Sequence, residues 1–314
     1  RIRDILNANV FGHHSEDHGL KVDLQRLGNA DRQTKMIQMQ AANQRDGSGL
    51  WIQESLLNHS CTPNCTWFQI HDHIFIKSTR KVSKGDELCI TYSEPLSTAA
   101  IHDKFSDWSG SGVGFRCMCE RCTMMHNNPS LLAKEQEVYD AFTKAAELVT
   151  THPVPMAVAA EMTLPEEKRN EFIRIFEELP PRCAAFTLEK LYAMNGAVLN
   201  SKGSDRLALT NFENAAQAYY AGYGAIYPYA KQLWRIVGSA MRCGRSEQAI
   251  NALKRIRQMS CFDAAAGTST PITQQKFAEL TVHYAHPWWK DEMDHMVAQH
   301  LMQMARRVWS NAGA

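Results

Sequence analysis

The stretch "NHSCTPNC", Asn58–Cys65, decides how this sequence is read. Asn, His and Cys stand together where a plain strand and turn would need none of them. Downstream, "CMCERC" places Cys117, Cys119 and Cys122 within six residues, directly after Gly114–Phe115. Three thiolates so close, on a loop, can wrap one tetrahedral ion, and zinc takes four ligands. The fourth has to come from a distance, from Cys61 or Cys65. Closing such a site would tie this loop back to the Asn58–Cys65 segment and feed metal binding into folding. Four cysteine ligands leave no open position, so the zinc expected here is structural.

The chain of 314 residues has room for one large domain or two ordinary ones. It is 44% hydrophobic and 21% charged, as soluble globular chains are. Thirty-four Lys plus Arg against 33 Asp plus Glu give no global pull toward nucleic acid or anionic lipid, so no direct nucleic-acid partner is predicted. No apolar run approaches the roughly 20 residues that span a bilayer, and no membrane partner is predicted. The nine cysteines split into the cluster and scattered singles, Cys89, Cys183, Cys243 and Cys261. That pattern suits a reducing compartment, cytosol or nucleus. The chain starts with Arg1 in "RIRDILNANVFG", without an apolar leader, and reads as a fragment.

Outward from the motif, "CTWFQIHD", "HIFIKSTR" and "ELCITYSE" are short, rich in Ile, Phe, Trp and Thr, and parted by turn signals at Asp72–His73 and Lys84–Gly85–Asp86. They predict strands, the first two as a hairpin. Residues 1–12 read as a short helix or extended piece, and 13–49 as a helical insertion plus a loop. His13, His14 and His18 have no companion ligands and read as part of that solvated insertion. "DWSGSGVG" reads as a flexible loop.

After Asn128 the strand signals stop. Seven segments, from "LLAKEQEVYDAFTKAAELV" to the tail that starts at Trp288, carry helical spacing of apolar residues. The expected fold is α+β: a β-rich, zinc-bearing region over 1–128 and an all-α region over 129–314. Ala215 and Ala249 lie 34 residues apart, as do Tyr219 and Leu253, and "RCGRSEQAINAL" spaces Gly244, Ala249 and Leu253 as a tetratricopeptide turn does. An antiparallel array with small residues at its crossings reads equally well. Either gives stacked helix hairpins with a groove that suits a peptide partner.

"GSGLWIQESLLNHSCTPNCTW", "KGDELCITYSEPL" and "GFRCMCERC", in that order, resemble the SET-domain protein lysine methyltransferases, within them the SET-and-MYND type and related tetratricopeptide-and-SET proteins. The resemblance covers about residues 1–125, as the second half of a SET domain plus its post-SET zinc loop. It implies a methyltransferase that uses S-adenosylmethionine as cofactor and a lysine-bearing protein as substrate, in cytoplasm or nucleus. It implies Cys61 as the fourth zinc ligand with Cys117, Cys119 and Cys122, and Cys65 as a non-ligand. Asn58 and His59 would bind the cofactor in a threaded segment, and Phe115 would pack on its adenine. Tyr92 matches the active-site tyrosine, bordering the substrate channel. Asn9 aligns with a cofactor-side asparagine and Phe11 with a channel aromatic. The family's Gly-x-Gly strand turn and MYND-type finger have no counterpart here, and "WSGSGV" lengthens the loop before Phe115. Two expectations therefore stand side by side: part of an active enzyme, or a catalytically inactive, zinc-stapled scaffold.

Overall fold

The computed structural model describes residues 10–12, 48–50, 56–70, 73–92, 96–106, 115–152, 154–224, 227–260, 274–285 and 294–310. Strands come first and helices follow, so the architecture is α+β with a helical C-terminal region. Strand β1 (Val10–Gly12) pairs antiparallel with β2 (Ser48–Leu50), Val10 opposite Leu50. The expected extended reading near residue 12 therefore applies to Val10–Gly12. The expected insertion over 13–49 falls, but for its last two residues, outside the described residues, as do the three histidines and the loop at 107–114.

The hairpin forms as the sequence predicts. Strand β4 (Cys65–Ile70) runs antiparallel to β5 (His73–Ser78), from Cys65 opposite Ser78 to Ile70 opposite His73. Its β-branched and aromatic residues favour a pleated surface. The turn at Ser83–Asp86 is closed by Asp86 N–H to Ser83 O at 3.1 Å and by the Asp86 carboxylate, which accepts Ser83 N–H at 2.8 Å. Gly85 sits at φ 98°, which a side chain would resist.

The third expected strand is shorter than its composition suggests. Among its described residues only Cys89–Ile90 (β6) pairs, and it does so in parallel with Asn58–His59 (β3). The reason is local. Beyond Ile90 the backbone N–H of Tyr92 bonds the His59 side chain instead of a strand, and beyond Ser60 the partner chain bends away through Pro63.

Eleven helices follow among the described residues: α1 (Thr98–Ser106), α2 (Glu120–Asn127), α3 (Pro129–Thr151), α4 (Met156–Thr163), α5 (Glu166–Glu177), α6 (Pro181–Ser201), α7 (Asp205–Tyr223), α8 (Tyr227–Arg242), α9 (Ser246–Ser260), α10 (Gln274–Ala285) and α11 (Asp294–Ser310). Prolines begin α3 and α6, where the missing N–H costs nothing. Helices α1, α2, α4 and α10 are not among the segments picked out by sequence periodicity. Three of these four have nine residues or fewer, too short for an apolar stripe to repeat.

Helix α6 is the axis of the helical region, buried on nearly every side from Cys183 to Val198. It crosses α7 at two points without room for a Cβ. One added at Gly196 would lie 2.6 Å from the Phe212 ring, and one at Gly222 would lie 2.5 Å from the Ala185 Cβ. One core gathers α2 to α7 around Phe172, Phe176 and Leu191; a second gathers α7 to α11 around Trp234, Leu253 and Phe277. Ala215 and Tyr219 on α7, and their 34-residue counterparts Ala249 and Leu253 on α9, are all buried. Gly244 closes α8 at φ 68°, with Arg245 N–H reaching back to Ala240 O at 2.8 Å.

Candidate functional site

The parallel β3–β6 pair sets Asn58 beside Cys89 and His59 beside Ile90. Ser60 N–H extends the pairing to Ile90 O at 2.9 Å. The chain then turns at Pro63 and Asn64, and Asn64 locks the turn to the β6 side. Its Oδ1 accepts Cys89 N–H at 2.8 Å and its Nδ2 donates to Glu87 O at 2.8 Å. The turn drives Cys61 into the interior, where it is 3% exposed. Facing it, the segment from Phe115 enters α2, with Cys119 at the helix N-terminus and Cys122 one turn in.

The sulfurs of Cys61, Cys117, Cys119 and Cys122 all lie within 4.8 Å of one another. Cys61 Sγ is 3.7 Å from Cys117 Sγ and 3.4 Å from Cys122 Sγ. A zinc ion with Zn–S bonds of about 2.3 Å needs tetrahedral sulfurs about 3.8 Å apart, so this donor set could hold one. Cys65 is also buried, on β4, and lies outside this group. Contact with Cys117, Cys119 and Cys122, together with burial, pushes the Cys61 thiol up; hydrogen bonds from Cys119, Cys122 and Cys61 pull Cys117 down. Sulfurs this close ionise as a set, and a divalent cation among them favours the thiolates.

Above the sulfurs sits His59. Its Nδ1 accepts the Tyr92 backbone N–H at 3.0 Å and its Nε2 lies 3.3 Å from Cys61 Sγ. Three aromatic rings surround it. Phe105 of α1 meets the imidazole edge-on at 4.8 Å and Phe115 does so at 6.1 Å, while the Tyr92 ring lies tilted to it at 5.3 Å. Phe115 stacks on Phe105 at 4.6 Å and stands edge-on to Tyr92 at 6.2 Å. The Tyr92 hydroxyl donates to Leu57 O at 2.5 Å, and burial, with Cys89 nearby, pushes its phenol above the usual range. Such a phenol stays protonated near neutrality and can donate a hydrogen bond. Asn58 is exposed, and its Nδ2 donates to Glu87 Oε1 at 2.6 Å.

Of the residues singled out by sequence, the structure thus brings together Asn58, His59, Cys61, Tyr92, Phe115, Cys117, Cys119 and Cys122. Asn9 lies outside the described residues. Phe11 lies on β1 opposite Gly49, and its side-chain placement lies outside the described features.

With this geometry in place, the comparison with known families is specific: residues 7–93 match the family model described as "SET domain". This segment is a SET domain. The similar proteins include the histone-lysine N-methyltransferase SMYD3 of Mus musculus, 30% identical over 104 residues, which are 32% of this chain and 22% of that protein. The protein-lysine N-trimethyltransferase SMYD5 of Gallus gallus is 28% identical over 105 residues, 33% of this chain and 25% of that protein. The match therefore spans about a quarter or less of the length of these relatives. The SET-domain match over residues 7–93 includes Cys61 and Tyr92, and the chain fits a SET-and-MYND-like SET protein.

Sequence reasoning missed two parts of the SET-domain surroundings. Phe105 supplies the floor for Phe115; the i, i+4 pair Ile101 and Phe105, both buried, is its only signal. Arg121, inside the "CERC" run, is fully buried and pairs with buried Glu135 of α3 through Nε at 3.1 Å and Nη2 at 2.9 Å. Its Nη2 also donates to Leu96 O, and Glu135 accepts Thr98 N–H at 2.6 Å. Burial works against the Arg121 charge, yet Glu135 outweighs it and holds the guanidinium protonated. No composition or spacing rule pairs these two residues.

Proposed function

We propose that this chain carries out S-adenosylmethionine-dependent methylation of lysine in a protein substrate, histone or non-histone. The observation that supports it is the convergence of His59, Tyr92 and Phe115 over the four-cysteine site, in a segment that matches the SET domain. The cofactor supplies a methyl on a positively charged sulfur. Asn58 offers an exposed amide for it and Phe115 a half-buried ring, donors and faces that fit an adenosine. Aromatic walls disfavour an ammonium and lower a lysine pKa from about 10.4, leaving the amine neutral for attack. Tyr92, held protonated, orients the reacting groups. No covalent intermediate is needed, and alignment supplies the rate.

In this reading Cys61, Cys117, Cys119 and Cys122 hold one structural zinc in the post-SET loop. The metal keeps Phe115 beside the Asn58–His59 strand and takes no part in methyl transfer. We place the division between the SET-bearing part and the helical part at residue 128, and the working compartment in cytoplasm or nucleus, where thiols stay reduced. A peptide partner fits a cavity of about 870 Å³ between β5 and α7 to α9, lined by Lys77, Glu213, Tyr220, Gln248, Asn251 and Arg255.

The test is transfer of labelled methyl from S-adenosylmethionine to candidate protein substrates, with wild type and Tyr92→Phe compared. Transfer by wild type that drops about 100-fold in the variant, with zinc content unchanged, supports the reading; positioned hydrogen-bonding groups of this kind contribute that much. No cofactor binding at millimolar concentration would favour the scaffold expectation instead.

A further inference from the structure

The turn that delivers Cys61 is held from within the SET domain and from the helical array at once. Three successive carbonyls, those of Thr62, Pro63 and Asn64, are each taken by a different donor. Arg182, at the start of α6, donates through Nη2 to Thr62 O at 2.7 Å. Arg80, just beyond β5, donates through Nη2 to Pro63 O at 2.7 Å. The backbone N–H of Thr79 donates to Asn64 O at 2.8 Å. The same Arg80 Nη2 lies 2.6 Å from Gly222 O, and Nη1 lies 3.4 Å from Ala221 O.

Those last two carbonyls belong to the final turn of α7, where a helix leaves its C=O groups without intrahelical donors and a cation is favoured. One guanidinium therefore caps a helix of the array and grips the metal-bearing turn at once. The approach is close: Gly224 follows α7 at φ 75°, and a Cβ there would stand 2.5 Å from Thr79 O. Tyr223, the last residue of α7, is 2% exposed and sits near enough to Cys61 and Arg121 to feel their charges.

We propose that Arg80 is a positioning residue for the metal and cofactor side of the site: it holds the Thr62–Asn64 turn, and with it Cys61, against the last turn of α7. The helical array is then part of the machinery that sets the SET-domain site. Burial and the like charge of Arg182 lower the Arg80 pKa, Tyr220 works against that shift, and the guanidinium donates to carbonyls on both sides of the contact. A lysine keeps the charge but lacks the second nitrogen and the fixed planar fork that also reaches Ala221 O.

The inference goes beyond methyl transfer and is tested without it. Hydrogen exchange of backbone amides across 58–66 is followed by mass spectrometry in the full chain, alongside transfer of bound metal to a chromophoric chelator. Arg80→Ala should speed exchange in this segment about tenfold or more, as loss of charge-assisted hydrogen bonds implies. Metal transfer should speed about tenfold. Arg80→Lys should recover part of the protection.

The control is Arg242→Ala. Arg242 ties Asn200 of α6 to Asp205, at the end of α7 opposite to the Arg80 contacts, so its loss should lower array stability and leave exchange at 58–66 as in wild type. Unchanged exchange in Arg80→Ala, or equal acceleration in Arg242→Ala, overturns the proposal. If Arg80→Ala does not fold, Arg80→Lys decides alone: exchange a few-fold faster supports the latch, and wild-type exchange overturns it. A wild-type protein without metal would defeat the zinc reading, while the exchange measurement would still decide the role of Arg80.

Discussion

The Nδ1 of His59 accepts the backbone N–H of Tyr92 at 3.0 Å. A ring nitrogen that accepts carries no proton, so the imidazole proton sits on Nε2, aimed at Cys61 Sγ 3.3 Å away. One side chain thus links the tyrosine expected at the methyl-transfer centre to a sulfur expected to bind zinc. His59→Ala should weaken zinc binding about 10- to 100-fold, as loss of an outer-shell hydrogen bond does. Competition with a chromophoric chelator measures this, and zinc affinity equal to wild type would show that the contact carries no weight.

Glu135 is fully buried and its carboxylate serves Arg121 and the Thr98 N–H. Glu135→Ala leaves the Arg121 charge buried without its partner and should cost about 3–5 kcal/mol of stability. Replacing both, Arg121→Met with Glu135→Leu, should cost much less, since no orphaned charge remains. Urea denaturation of the single and double variants separates the two cases. A double variant as unstable as the single one would mean that the pair is needed as a pair.

Cys183 is fully buried in α6, and burial, with Glu120 and Cys119 adding to it, pushes its thiol from 9.0 up to about 11. The sign follows from linkage. Below pH 9 the thiol is protonated in both folded and unfolded chains. Between pH 9 and 11 the unfolded thiol ionises while the folded one resists, so stability falls across that window. Cys183→Ala should flatten this part of the pH–stability curve. An unchanged slope between pH 9 and 11 would assign the alkaline loss to other groups.

The parts legible in sequence are those encoded locally. Strands β4 and β5 announce themselves by Trp67, Phe68, Ile74 and Ile76 around a short turn, and "CMCERC" shows three thiols within six residues, although Cys122 stands inside α2 and not on a loop. Gly244, Ala249 and Leu253 mark the α8–α9 hairpin. The choice of Cys61 over Cys65 rests on resemblance, because both precede or begin the same strand; the fold separates them by the turn that Asn64 locks. What was not legible depends on tertiary approach. Phe105 under Phe115, Glu135 against Arg121, and Arg80 against Ala221 and Gly222 join residues 10, 14 and over 140 positions apart, with no shared periodicity. The third strand failed to extend because a histidine side chain captured the Tyr92 amide, which composition cannot show.

The most direct measurement is X-ray absorption at the zinc edge on freshly purified protein, with metal content determined on the same sample. The account predicts one zinc per chain with four sulfur neighbours at about 2.3 Å. A metal-free protein, or a zinc shell with nitrogen or oxygen in place of a sulfur, would contradict it.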